Sequence, residues 1–204
     1  MSARSLLAAT LALATLAGCS ALTAVSDASA PLDAFTLSPV RPSAVRSIGQ
    51  HIVVQPAAAS GALATDRILL KPNRLQAEYL PAGRWVDPAP VLVQSLVVAS
   101  LQNSGGFRLV GRDDAGLVPD FTLLMDLSDF QAEAPPVSAT PWQVRVGLTA
   151  TLIRESDRTI VASRRFEQSA AASSDSTLAL VTAFDTSLAQ VLRGMVIWTI
   201  AETR

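Results

Sequence analysis

From Trp142 to Leu152 the chain alternates without interruption. Trp142, Val144, Val146, Leu148, Ala150 and Leu152 are apolar, and Gln143, Arg145, Gly147, Thr149 and Thr151 lie between them. A period of two sends successive side chains to opposite faces of an extended backbone, so the run predicts a β-strand with one buried and one wet face. Such a strand needs neighbours to pair its amides. Phe121, Leu123, Met125 and Leu127 share one face of a second strand. Ser156-Asp157 then turns the chain into a third, Thr159 to Gln168. Antiparallel pairing is the natural arrangement for three such consecutive strands. The first two are joined by residues 134–141, Ala-Pro-Pro-Val-Ser-Ala-Thr-Pro, longer than common hairpin loops.

Shorter extended segments precede these. Ala34-Phe35-Thr36-Leu37 alternates and stops at Ser38-Pro39; His51 to Gln55 is β-branched and stops at Pro56. Ala57 to Thr65 reads as a small-residue connection. Arg67 to Lys71 forms another candidate strand, Tyr79 begins a further extended piece, and Phe107 to Val110 makes one more. Asp87-Pro88 predicts a helix start with Asp87 as N-cap and Pro88 in the first helical position. Leu92, Leu96 and Ala99 mark its face, and Ser104-Gly105-Gly106 ends it, glycine suiting a left-handed cap. A final helix, capped by Ser174 or Asp175, runs to about residue 202. Val181, Phe184, Leu188, Val191, Met195 and Trp198 form its apolar stripe, which lacks the charged flanks of a coiled-coil seam. Strands and helices are segregated. The expected class is therefore α+β: a single domain with a mainly antiparallel sheet and two principal helices packed on one face.

Composition narrows the chemistry. The chain has 204 residues, suiting one domain, and is 50% hydrophobic and 16% charged, against about 25% charged in ordinary soluble domains. A net charge of −1, from 16 basic and 17 acidic residues, leaves no basic excess for a phosphate backbone, so no nucleic-acid partner is expected. One Cys and one His exclude a disulfide framework and a Cys/His zinc site. No Gly-x-Ser-x-Gly elbow, phosphate loop or dinucleotide fingerprint occurs. His51 lies in an apolar run with no nucleophile motif beside it and reads as structural. Asp113-Asp114 reads as a turn; Asp126 and Asp129 are too few for a hard-cation site, and Asp126 falls on the wet face. No catalytic residue, cofactor or metal is expected, and the chain is read as a non-enzyme.

The amino terminus points to a compartment. Arg4 supplies a positive start, and Leu6 to Ala17 is an uncharged run of roughly twelve residues, matching a signal peptide and too short to cross a bilayer. It ends at Leu16-Ala17-Gly18-Cys19. This resembles the lipobox of bacterial lipoproteins, in which small residues lie extended in the peptidase cleft and a thiol receives the diacylglyceryl group. The resemblance implies residues 1–18 as signal peptide, Cys19 as the lipidated first mature residue, 19–31 as a tether and 32–204 as the domain. A competing cleavage site, Ala28-Ser29-Ala30, is followed by an obstructive Pro31. No later run of about eighteen residues lacks both charges and breakers. Ser20, rather than Asp, follows the Cys, which under the common sorting rule leans toward the outer membrane.

Arg84-Trp85, just before Asp87-Pro88, reads equally as an interface anchor and as a Trp closing the core. The uncharged 134–141 loop, closed by Trp142, reads either as a tip that inserts into a partner or a lipid surface or as a loose tip. Taken in order, the lipobox, Phe35-Thr36-Leu37-Ser38-Pro39, Arg84-Trp85-x-Asp87-Pro88, the Phe121 to Phe130 strand and the closing helix with Ala183-Phe184 resemble one family. It is that of ABC-type transport auxiliary lipoproteins, of the paraquat-inducible protein C type. The 134–141 stretch departs from its pattern. The resemblance implies a periplasm-facing lipoprotein, held in the membrane through lipidated Cys19, that works without catalysis. Its implied partners are an ABC transporter complex and a mammalian-cell-entry domain protein in intermembrane lipid transport. Arg84 and Trp85 are the candidate partner interface. An alternative is a lipoprotein that binds lipid or another small apolar ligand directly.

Overall fold

In the computed structural model, residues 31–42, 46–113, 116, 118–135 and 141–204 are described. Residues Asp33–Arg204 form one compact unit. The elements run β1 (Asp33–Phe35), β2 (His51–Val54), β3 (Ala58–Ala59), β4 (Arg67–Asn73), β5 (Gln76–Trp85), α1 (Ala89–Ser104), β6 (Leu109–Arg112), β7 (Phe121–Glu133), β8 (Gln143–Arg154), β9 (Thr159–Ala171) and α2 (Thr177–Glu202).

The alternating run builds the sheet as expected. β8 pairs antiparallel with β7 on one side and β9 on the other over nearly its whole length. Val144, Val146, Leu148, Ala150 and Leu152 are each 0% exposed, because α2 packs over β8 and β9 on that face. The other edge of β7 is shared in series by β2, β3 and β4, all parallel to it. β4 then pairs antiparallel with β5, β5 parallel with β1, and β2 parallel with β6. The sheet is nine-stranded and mainly antiparallel, its parallel pairings being the short ones. With two covering helices it is the α+β class read from the pattern.

Several boundaries differ. α1 begins one residue late: Pro88 is the N-cap, with extended φ −51° and ψ 138°, and its carbonyl accepts from the Val91 and Leu92 amides. Asp87 therefore lies outside the helix, and the proline of the first turn is Pro90. Gly105 ends α1 at φ 65°, the left-handed conformation expected there. α2 is capped by Ser176, whose hydroxyl accepts from the Ala179 amide at 3.3 Å, rather than by Ser174 or Asp175. β6 starts two residues late because Phe107 is still folding into the core, 7% exposed, and pairing with β2 begins where Leu109 meets His51. β3 arises inside the expected small-residue connection.

α2 is long and apolar enough by composition to cross a membrane. Its stripe of Val181, Phe184, Leu188, Val191, Met195 and Trp198 is instead buried against the sheet, as a core helix requires. A bulge between Leu127 and Asp129 resets the phase of β7. Before it Phe121, Leu123, Met125 and Leu127 point inward; after it Phe130 and Ala132 do.

Candidate interaction surface

Cys19, the rest of the lipobox and the tether up to residue 30 lie outside the described residues. So do 136–140 of the Pro-rich loop.

Trp85 is not on the surface. It is the last residue of a ten-residue strand rather than part of an irregular segment, and it is 1% exposed. Its ring meets Phe130 at 5.4 Å and Phe184 at 5.1 Å between centroids, and those two lie 5.0 Å apart. The cluster ties β5, β7 and α2 together. β1 on one side and β4 on the other hold the end of β5 flat, so alternation leaves Arg84 outside and draws Trp85 in. Arg84 is the accessible member of the pair. Its guanidinium bonds Asp66 at 3.3 Å and the Trp85 carbonyl at 3.3 Å.

The wet face of the sheet carries a connected group of charges. Arg165 on β9 reaches Asp129 on β7 at 2.8 Å and Glu167 at 2.8 Å; Arg145 on β8 reaches Glu167 at 3.0 Å and Glu133 at 3.5 Å. Gly147 makes the bridge possible. A Cβ there would stand 2.5 Å from Asp129 Oδ2 and 3.1 Å from the Arg165 guanidinium. The missing side chain leaves a pit across which β7 and β9 join over β8. Partial burial works against the Asp129 charge, but bonds from Gln131, Ser128 and Arg165, with the charge of Arg165, hold its carboxyl below the ordinary 3.8. The same bonds, from Glu167 first and then Asp129, raise Arg165.

At one end of this face a cleft of about 730 Å³ is lined by Lys71, Arg74, Glu133 and Arg145 together with Asn73 and Pro135. A smaller, mostly apolar groove of about 320 Å³ runs beside the carboxyl end of α2, past Val196, Ile197 and Ile200. His51 is half-buried, and its backbone amide donates to Asp120 at 2.7 Å. Asp126 is exposed, as its alternation predicts. Asp113 follows β6 directly, while Asp114 lies outside the described residues. Among the described residues no three His, Cys, Asp or Glu side chains converge as a metal site would need.

Sequence reading missed the Asp129–Arg165–Glu167–Arg145 group. The signal was present: every member occupies an outward position once the β7 bulge is known, and Gly147 is the one side-chain-free position on the wet face of β8.

The fold and surface define a single-domain α+β protein that offers charged relief on a rigid sheet. The chain belongs to the family described as the ABC-type transport auxiliary lipoprotein component, whose model matches residues 35–196. An uncharacterized protein of Bradyrhizobium diazoefficiens is 27% identical over 161 residues, covering 77% of this chain and 41% of that protein. The chain thus spans about two-fifths of that relative's length. The crystal structure of protein XCC0632 from Xanthomonas campestris superposes with TM-score 0.75 at 25% identity, covering 85% of this chain and 96% of that one. The hypothetical protein CT253 from Chlamydia trachomatis shares the fold alone, with TM-score 0.52 at 10% identity, covering 76% and 97%. Family membership implies a membrane-anchored, periplasm-facing lipoprotein.

Proposed function

We propose that this protein is the lipid-anchored docking component of a mammalian-cell-entry type ABC system that moves lipid between two membranes. The observation that carries the reading is the family match across residues 35–196. The lipobox supplies the anchor, with Cys19 as the acylated residue. One buried chain holds only marginally, at about 0.8 kcal/mol per CH₂, whereas two or three chains hold firmly. Ser20 after the Cys favours the outer membrane, with the domain facing the periplasm. Anchoring raises the local concentration of a weak protein contact without adding any contact to it. The partner contact is drawn on the exposed polar surface, with Arg84 as one member, while Trp85 lies in the core.

The test combines location and capture. The intact protein, extracted under mild detergent, is expected to bring down permease, ATPase and mammalian-cell-entry subunits. Cys19→Ala should move it from the detergent-rich phase to the aqueous one and sharply reduce that capture. Unchanged partitioning would remove the anchor. Stoichiometric co-extracted lipid without transporter subunits would favour direct apolar-ligand binding instead.

A further inference from the structure

We propose that the turn between β4 and β5 is a second membrane contact of this chain. Leu75 enters the headgroup layer of an anionic bilayer, and Lys71 and Arg74 receive the lipid phosphates around it. The inference rests on Cys19 as the lipid anchor and adds where the anchored body touches the bilayer.

The turn holds an apolar side chain out in water. β4 ends at Asn73 and β5 begins at Gln76, so Arg74 and Leu75 alone connect them. The Asn73 side chain fixes the corner. Its Oδ1 accepts from the Leu75 amide at 3.0 Å, and its Nδ2 donates to the Gln76 side chain at 2.8 Å. Leu75 is 99% exposed, more than any other large apolar residue among those described. Turn positions favour Gly, Pro, Asn, Asp and Ser, for their backbone freedom, fixed φ or local hydrogen bonds, and leucine supplies none of these. Packing does not account for Leu75 either, since it touches no core. Insertion into a lipid surface does, because that removes its side chain from water.

The charges beside it suit anionic headgroups. Beneath the turn lies the cleft of about 730 Å³, lined by Lys71, Arg74, Arg145 and one acid, Glu133. Arg145 is engaged by Glu133 and Glu167. Lys71 and Arg74 take part in no ion pair among the described residues. The nearest acid along β5 is Glu78, to which the Gln76 side chain donates. Two unspent cations thus flank the exposed leucine. Each basic residue held near an anionic bilayer adds to the attraction, and a buried apolar side chain adds to it independently of charge.

The course of the chain places the anchor within reach of this surface. β1 pairs in parallel with the far end of β5, Asp33 beside Gly83, and both strands run away from the turn. The chain therefore enters β1 from the turn's side. Gly83 stands seven positions beyond Gln76, about 23 Å along a strand. Cys19 precedes Asp33 by fourteen positions, a span of at most about 50 Å. That span exceeds the distance back to the turn, so an anchor at Cys19 leaves Leu75 free to meet the bilayer. Tethering supplies the high local concentration of lipid that so small a contact needs.

A probe at the turn gives the test. The full chain is reconstituted into vesicles of phosphatidylcholine, with or without phosphatidylglycerol. Leu75→Cys carries an environment-sensitive fluorophore, and Val118→Cys, 90% exposed ahead of β7, serves as control. Cys19 is the only native thiol, and its acylated form does not react with the label. In phosphatidylglycerol vesicles the label at position 75 should shift to the blue and be quenched by spin-labelled lipid well beyond the label at 118. Lys71→Gln combined with Arg74→Glu should cut that quenching by about fivefold or more, at an unchanged urea midpoint. Quenching at 75 no greater than at 118 overturns the proposal. So does quenching that is equal in neutral vesicles or unaffected by the two substitutions. A turn that stays wet on vesicles and is shielded only when transporter subunits are added assigns it to a protein and also overturns the proposal. Flotation reads the anchor separately: a chain that floats with a wet turn keeps its anchor and loses this contact. If the chain does not float, the anchor fails, and the same label at large lipid excess decides the turn by itself.

Discussion

Trp85 anchors three elements at once, and its truncation would leave a hole where β5, β7 and α2 meet. Such aromatic deletions in cores cost about 3–5 kcal/mol. Trp85→Ala is therefore expected to lower the denaturant midpoint steeply, while partner capture per folded molecule is retained. Capture lost at unchanged stability would contradict its place in the core. Asp129 has a gentler part. Its carboxyl titrates lower in the folded state than its ordinary 3.8. The stability it contributes is complete above that ordinary value and is lost as pH falls through the lowered one. Its partner Arg165 is half-exposed, so the contribution is roughly 0.5–1 kcal/mol. Asp129→Asn should be less stable than the parent near neutral pH, and in urea titrations the gap should narrow as pH falls below 3.8 and through the lowered folded-state value. At this scale the sequence was legible in part. A Trp beside an Arg reads the same whether it faces water or core, and only the pairing of both edges of β5 decides it.

Elements were easier to read than their ends. The period of β8 and the stripe of α2 identify both, because a one-sided apolar pattern has one way to be buried. Their caps are matters of one or two residues. Ser174, Asp175 and Ser176 all carry acceptor side chains, and the backbone selects Ser176, at φ −65° and ψ 147°. Ser176→Ala should cost about 1 kcal/mol, measured by chemical denaturation, whereas Asp175→Ala should change little. The bulge in β7 was not legible. Ser128 carries no mark that it is unpaired, yet it turns Phe130 from the wet face to the core. Without that turn the aromatic cluster has no third ring.

The whole molecule shows where local patterns stop informing. Antiparallel neighbours follow from three consecutive alternating runs, and the class with two helices on one face follows from them. The parallel pairings do not. β2, β3 and β4 are short and separated in sequence from β7, and their shared alignment along one of its edges depends on α1 carrying the chain across. The charged group on the wet face depends on the same assembly, since its members come from β7, β8 and β9.

β7 borders β8 on one side and β2, β3 and β4 on the other. No segment can swing away from it without tearing a ladder, and freeing the strand itself means dissolving the body. A visiting protein therefore meets a finished shape, like a key cut before the lock is tried, and recognition has to be written in contour and charge instead of in movement.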